Sequence, residues 1–578
     1  MSILPNQARI KLIGVLVCAA ALIIVARLYY IQIIRHSAYA AQAEKQYVQQ
    51  GQALFDRGTI YFSPLDSAPI SAATIASGYA VTLQPKKAVH PEDIVNALSG
   101  VLTTDPSTGK PIDENFLTSK LATTSSYTEI AHRVDEATAE RIESLNIAGL
   151  GDYKEQWRYY PAGKLASNVL GFVGYNDSGT ELTGRYGLEK SYNDVLSRGA
   201  SDTYVNFFAE IFSNVSDNFI RNDAEEGDIV TTIEPTVQQE LEKQLASVMS
   251  VWHSDLTGGI IMNPYTGEIY AMAMNPDFDP NNFAKEKDQS VFKNPLVDGV
   301  YEMGSIVKPL VMAAGLDQGV VTPDTQYDDT GYVIVNGAKV SNYDGRARGV
   351  ITMQRVLDES LNVGMAFVAR KLGNDEVTKY LTNYGLGEET GIDLPGEVHG
   401  QIGNLKSARE LEHVTASFGQ GIAITPIETI RALSSLGNGG FLPNPHIVKR
   451  IDYTSGDSKT PSYDNVKQVI KPETSETITR MLVQVVDTAL LNGTVKFPHY
   501  TVAAKTGTAQ MASPQGGYYS DRYLHSFFGY FPAYKPQFII FLFTVYPKGA
   551  EYASHTLTMP FIDLAKFLIN YYEVPPDR

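Results

Sequence analysis

Followed for its alternation of apolar and polar positions, the chain opens on one dense apolar block. Leu12 to Ala26 is uninterrupted small or apolar, Arg9 and Lys11 precede it, and Leu28, Tyr29, Tyr30, Ile31, Ile33 and Ile34 extend it past Arg27. Counted to Ile34, the block reaches the roughly 20 residues that a bilayer-spanning helix needs, with Arg27 able to snorkel and the two tyrosines suited to an interface. Three other readings compete: a signal cleaved after Ala38-Tyr39-Ala40, a lipoprotein signal at Cys18, and a buried globular helix. Each fits less well. The stretch before Ala38 is itself apolar, Val17 is bulky where a small residue precedes a lipidated cysteine, and no other segment matches this apolar density. The expectation is a cytoplasmic tail and single-pass anchor over residues 1–35, N-terminus inside, with the remainder extracytoplasmic.

Beyond the anchor, residues 36–222 mix short strand-like runs with one helical stretch, Ala137 to Leu145, and polar loops such as Thr103 to Glu114. Ser213 to Gly227 is polar and acid-rich with little periodicity, and reads as a crossing between domains. After it the pattern becomes α+β. A helix is expected over Val237 to Ser250, then strands Gly259 to Met262 and Glu268 to Met274 around the turn Asn263-Pro-Tyr-Thr-Gly267. Helices follow at 305–317, 352–372 and 474–490, then aromatic and β-branched strands at 500–510, 525–531 and 537–546, then a C-terminal helix. An antiparallel sheet with helices on both faces is the simplest packing of that order. The domain reading is therefore anchor 1–35, a middle portion 36–222, and an α+β domain 223–578.

Composition narrows the partners. Against 64 Asp+Glu stand 47 Lys+Arg, a net charge of −17, which argues against nucleic acid. The single cysteine, Cys18, permits no intramolecular disulfide, and no Cys/His cluster or phosphate-binding loop calls for a metal or other cofactor.

Chemistry enters through three short motifs in order. Ser-x-x-Lys occurs at Ser107/Lys110, Ser290/Lys293 and Ser305/Lys308; Ser-x-Asn at Ser144, Ser191, Ser216 and Ser360; Lys-Thr-Gly once, at Lys505-Thr506-Gly507. Taken singly, such residues are helix caps or solvated charges. The ordered set Ser305-x-x-Lys308, Ser360-Leu361-Asn362 and Lys505-Thr506-Gly507-Thr508 is far more specific. On a helix, Ser305 and Lys308 share a face, so they are expected to hydrogen-bond, with a desolvated amine taking the hydroxyl proton. A helix N-terminus at Ser305 supplies a positive dipole end and half of an oxyanion hole, completed by the Thr508 N–H. Gly507 is expected to let a substrate backbone approach. Lys505 and Thr506 are expected to meet a substrate carboxylate, while Ser360 relays a proton and Asn362 binds the substrate amide. His525, in a strand, reads as structural, and Ser216-Asp217-Asn218 as loop.

With these motifs the sequence resembles the penicillin-binding proteins, specifically the monofunctional class B type. Trp157-Arg-Tyr-Tyr-Pro161 and Tyr186-Gly-Leu-Glu189 are similar to the family's N-terminal pedestal; Gly391-Ile-Asp-Leu-Pro-Gly-Glu397 and Ser417-Phe-Gly-Gln-Gly421 are similar to its transpeptidase domain. Three positions depart from its pattern: Met303 stands where proline is usual, Leu361 replaces the commoner serine, and Arg57-Gly58 is not followed by Asp-Arg-Asn-Gly. The resemblance implies a D,D-transpeptidase that cross-links peptidoglycan stem peptides ending in D-Ala-D-Ala through a Ser305 acyl-enzyme and is acylated by β-lactams. It also implies Lys308 as base, Ser305 and Thr508 as oxyanion donors, and a polytopic (SEDS-type) lipid II polymerase as partner beside the lipid bilayer. A D,D-carboxypeptidase or β-lactamase-type hydrolase, and a non-catalytic cell-wall sensor or scaffold, are the competing functions.

Overall fold

The computed structural model describes residues 55–88, 91–122, 127–179, 181–198, 226–464 and 466–578. The expected anchor and nearly all of the Ser213–Gly227 crossing, with its Ser216-Asp217-Asn218, lie outside the described residues. Among the described residues, no helix is long and apolar enough to cross a membrane.

Two compact units emerge, the smaller holding residues 77–156 and the larger holding 57–76, 157–198 and the chain from 226 onward. In the smaller unit the single helix expected from the sequence, Glu136–Ser144, is joined by two more, Pro91–Ser99 and Glu114–Leu121. These are short helices whose starts are set by local chemistry more than by a long apolar period. The Asp113 carboxylate accepts the Phe116 N–H at 2.8 Å, and Asp135 does the same for Thr138 at 2.9 Å.

The larger unit is built on a five-stranded antiparallel sheet. Its first helix, α1 (Pro235–Trp252), starts on a Glu234 cap and buries Val237, Leu241, Leu245 and Val248 at helical spacing. Strands β1 (Leu256–Met262) and β2 (Ile269–Asn275) follow, joined by the expected turn, where Asn263 accepts the N–H of Tyr265. Further along are α2 (Lys308–Asp317), α3 (Met353–Asp358), α4 (Asn362–Leu372) and α5 (Pro472–Gln484). The chain closes with β3 (Ala503–Ala512), β4 (Tyr518–Phe531), β5 (Phe538–Val545) and α6 (Thr558–Tyr571). The strand order is β3-β4-β5-β1-β2, which leaves β3 at an edge.

Both sheet faces are covered. Along β5, Ile539, Phe541 and Phe543 enter one core with α2 and α5 residues such as Leu310 and Leu482, whereas Ile540 and Leu542 enter the other with α1 and α6. That division follows from the period of two along a strand, and double coverage explains why β5 is apolar at nearly every position. Elsewhere in this unit a fully buried carboxylate, Glu189, is gripped by the Nε atoms of Arg57 and Arg158, each at 2.6 Å.

Two expected helices are interrupted. Residues 352–372 break at Ser360 into α3 and α4, and α5 passes at Val485–Ala489 into a wider helical turn and then a kink at Leu491 and Asn492. Both interruptions border the cleft described next.

Candidate active site

Ser305 lies in a tight 3₁₀ turn, Gly304–Val307, that leads directly into α2, with Pro309 in the first turn of that helix. The N-terminal position expected from the sequence is therefore kept in a tighter form. Gly304 takes φ +65°, and a Cβ there would come within 2.8 Å of the Thr508 carbonyl, so the turn presses against β3. From β4, the Ser526 hydroxyl donates to the Met303 carbonyl at 2.7 Å. The Met303 side chain is fully buried.

Gly507 corrects an expectation. A Cβ at this position would meet the Ser526 Oγ at 2.2 Å and the Met303 carbonyl at 2.7 Å. Its missing side chain makes room for the turn that carries Ser305 rather than for a substrate. Consistently, Gly507 is absent from the cleft lining.

Ser360 follows α3 with φ +57°, and the hydrogen bonds around it define the cap. Its own N–H reaches the Leu357 carbonyl and the Leu361 N–H reaches Val356, the double-bonded helix ending that usually places glycine at the left-handed residue. Here serine occupies it, and a second helix, α4, starts at Asn362. The Asn362 Nδ2 donates to the Ser341 carbonyl at 3.0 Å.

The three motifs meet at the Ser360 hydroxyl. Lys505 Nζ donates to Ser360 Oγ at 2.9 Å, and Lys308 Nζ approaches the same oxygen at 3.3 Å and the Ser360 carbonyl at 2.5 Å. The expected Ser305–Lys308 hydrogen bond is not among those formed by the described residues. The physical reason is reach: the long lysine side chain carries its amine past its own turn to a carbonyl that the left-handed cap leaves outside the helix ladder. Burial pushes Lys308 well below the ordinary lysine range, and the neighbouring Lys505 charge pushes the same way. Burial also lowers Lys505, to about 7, against the opposing pull of the Asp358 carboxylate.

Ser305, Ser360, Asn362, Lys505, Thr506 and Thr508 line one cleft of about 1190 Å³, while Lys308 is wholly buried beside it. Because β3 is an edge strand, no further strand of this sheet pairs with its outer side, and the Thr506 carbonyl accepts Lys505 Nζ at 3.1 Å. Thr508 Oγ1 accepts the Ala553 N–H at 3.1 Å, fixing the rim that follows β5. His525, opposite Thr508, bonds Thr556 Oγ1 at 2.9 Å and the Glu551 carbonyl at 3.2 Å, and burial lowers its pKa to about 4. It is a neutral strut, as its strand position suggested.

Sequence reasoning missed other cleft-lining residues, among them Tyr343, Asp358 and Tyr552. They come from separate loops and helix ends with no shared spacing to mark them.

The profile of the penicillin binding protein transpeptidase domain matches residues 257–562, more than half of the chain, and that of the penicillin-binding protein dimerisation domain matches 56–230. The chain belongs to the penicillin-binding protein family. This penicillin-binding protein is 31% identical to stage V sporulation protein D of Bacillus subtilis over 96% of its own length and 83% of the relative's. Against the peptidoglycan D,D-transpeptidase FtsI of Escherichia coli it is 26% identical, covering 75% of this chain and 70% of that one. Among solved structures, penicillin binding protein 3 of Mycobacterium tuberculosis, complexed with aztreonam, superposes with a TM-score of 0.64 at 25% identity, covering 74% of this chain and 92% of that one.

Proposed function

We propose that this penicillin-binding protein is a peptidoglycan D,D-transpeptidase acting through a Ser305 acyl-enzyme. The observation that carries the reading is the Ser360 hydroxyl held between two buried lysines in the cleft that Ser305 lines. Burial of Lys308 favours its neutral amine, which can accept the Ser305 proton as Oγ attacks the D-Ala-D-Ala carbonyl. The tetrahedral oxyanion is held by the N–H groups of Ser305 and Thr508, and developing negative charge there is where fixed donors act most strongly. Collapse breaks the C–N bond. The departing D-Ala amine takes a proton through Ser360, whose hydroxyl already touches both amines. Lys505 and Thr506 receive the substrate carboxylate, and Asn362 orients the peptide amide. A second stem-peptide amine then attacks the ester, forms the cross-link and restores Ser305.

β-Lactams fit the same scheme because their amide carbonyl acylates the serine without a departing fragment; the aztreonam complex of the Mycobacterium tuberculosis protein supports this. The organisation that goes with the reading is anchor 1–35, pedestal 36–222 and transpeptidase domain 223–578, with the catalytic part extracytoplasmic and a polytopic (SEDS-type) lipid II polymerase alongside.

Fluorescent penicillin and peptide mass spectrometry test the assignment. A stable label on the peptide containing Ser305, lost in Ser305→Ala, is expected. Rapid release of the label would instead favour a hydrolase. Complementation by Ser305→Ala in cells that depend on the protein would replace the enzyme with a scaffold.

A further inference from the structure

Glu302 stands three residues before Ser305, and its side chain does not line the cleft. Its Oε1 accepts two hydrogen bonds, from the Gly421 N–H at 3.0 Å and from the Tyr518 hydroxyl at 3.1 Å. Its Oε2 is buried and has no hydrogen-bond partner among the described residues. These contacts join three segments of the larger unit. The first is the turn bearing Ser305. The second is the Phe418–Gly421 loop, whose Phe418 and Gln420 line the cleft and whose Gly419 carbonyl accepts the Gly304 N–H at 3.1 Å. The third is the tip of the β3–β4 hairpin, where Tyr518 pairs with Ala512. The β3 arm of that hairpin carries Thr506, Thr508 and Gln510 along the cleft wall.

A carboxylate is an expensive group for this place. Leaving a buried acceptor oxygen unpaired has a real penalty, and burial raises the Glu302 pKa against the pull of its two donors. A hydroxyl or a backbone carbonyl would join two segments at less cost. What the carboxylate adds is an acceptor that takes two donors from different elements on one oxygen, each strengthened by charge.

We propose that Glu302 is a positioning residue, latching the β3–β4 hairpin tip and the Phe418–Gly421 loop to the nucleophile turn so that the β3 wall is held at the spacing acylation requires. The latch rests on the reading of Ser305 as nucleophile. Its weak point is the Tyr518 hydroxyl, which reaches in from a partly exposed ring at the hairpin tip.

Tyr518→Phe removes that hydroxyl alone. In the full-length protein, acylation by a fluorescent penicillin is resolved into initial affinity and the rate constant of the covalent step, with a melting curve recorded beside it. A charge-assisted hydrogen bond lost only from the acylation geometry corresponds to a fall of about tenfold in the covalent step. Initial affinity and melting temperature are expected to stay at wild-type values. Glu302→Ala is expected to fall further, Glu302→Gln to recover to within about threefold of wild type because Oε1 is kept, and Glu302→Ala/Tyr518→Phe to be no slower than Glu302→Ala alone. Wild-type acylation in Tyr518→Phe, or losses that multiply in the double variant, would overturn the latch. A wild-type protein that takes no label on Ser305 would overturn the nucleophile assignment and the latch with it.

Discussion

Replacing Ser360 by glycine and by alanine separates what this residue does for the backbone from what its hydroxyl does for the chemistry. Both variants lose the oxygen that Lys505 and Lys308 reach at 2.9 and 3.3 Å, so that loss cancels in the comparison. They differ at the Cβ. At φ +57° a side chain in the left-handed region costs about 1–2 kcal/mol, which glycine avoids. Glycine gives back about 0.4–1 kcal/mol through its greater freedom in the unfolded chain. The expected balance is Ser360→Gly more stable than Ser360→Ala by about 1 kcal/mol, although glycine is ordinarily the weaker choice beside a helix. Urea unfolding followed by intrinsic fluorescence suits the measurement, because the only two tryptophans, Trp157 and Trp252, both belong to the larger unit. Both variants are expected to label with fluorescent penicillin at least about a hundredfold more slowly than wild type, in the range for removing a proton-transfer group. An alanine variant as stable as the glycine variant would refute the left-handed cap, and fast labelling of either would remove the hydroxyl from the proton path.

Further outcomes follow from the same geometry. Lys505 binds its proton less tightly in the fold, with a pKa of about 7, than in the unfolded chain, so the unfolded state holds the extra proton above that pH. Stability should therefore rise with pH from about 7 toward the ordinary lysine range, by about 1.4 kcal/mol per pH unit for this group, and Lys505→Met should remove this group's share of the rise in urea midpoints measured across that window, leaving the share of Lys308. Acylation should also climb with pH along a limb well below the ordinary lysine pKa, set by Lys308, as a stopped-flow penicillin assay would record. Gly507→Ala forces a Cβ against Ser526 and Met303, and overpacking of about 1–3 kcal/mol at the nucleophile turn should appear as at least tenfold slower acylation. Glu189→Gln removes the charge that the buried Arg57 and Arg158 guanidiniums both face, and should lower stability by about 3–5 kcal/mol in the same urea assay.

The sequence alone determined the elements whose periodicity is long and local. The α1 helix, the β1–β2 hairpin with its Asn263 turn, and the aromatic strands β4 and β5 all follow from apolar spacing and turn chemistry, which act over a few residues. The order of Ser305, Lys308, Ser360, Asn362 and Lys505 was legible because the three motifs are specific as a set. Tertiary structure decided which of these groups touch. Lys308 meets Ser360 rather than Ser305 because a helix break 52 residues away presents a carbonyl and a hydroxyl to it, and no spacing within one helix encodes that approach. Gly507 serves the nucleophile turn because Met303, far along the chain, and Ser526, its partner across the β3–β4 hairpin, occupy the space its Cβ would need. Local propensity is written in neighbouring residues; the pairing of buried charges and close backbone crossings depends on contacts that only the folded chain brings within reach.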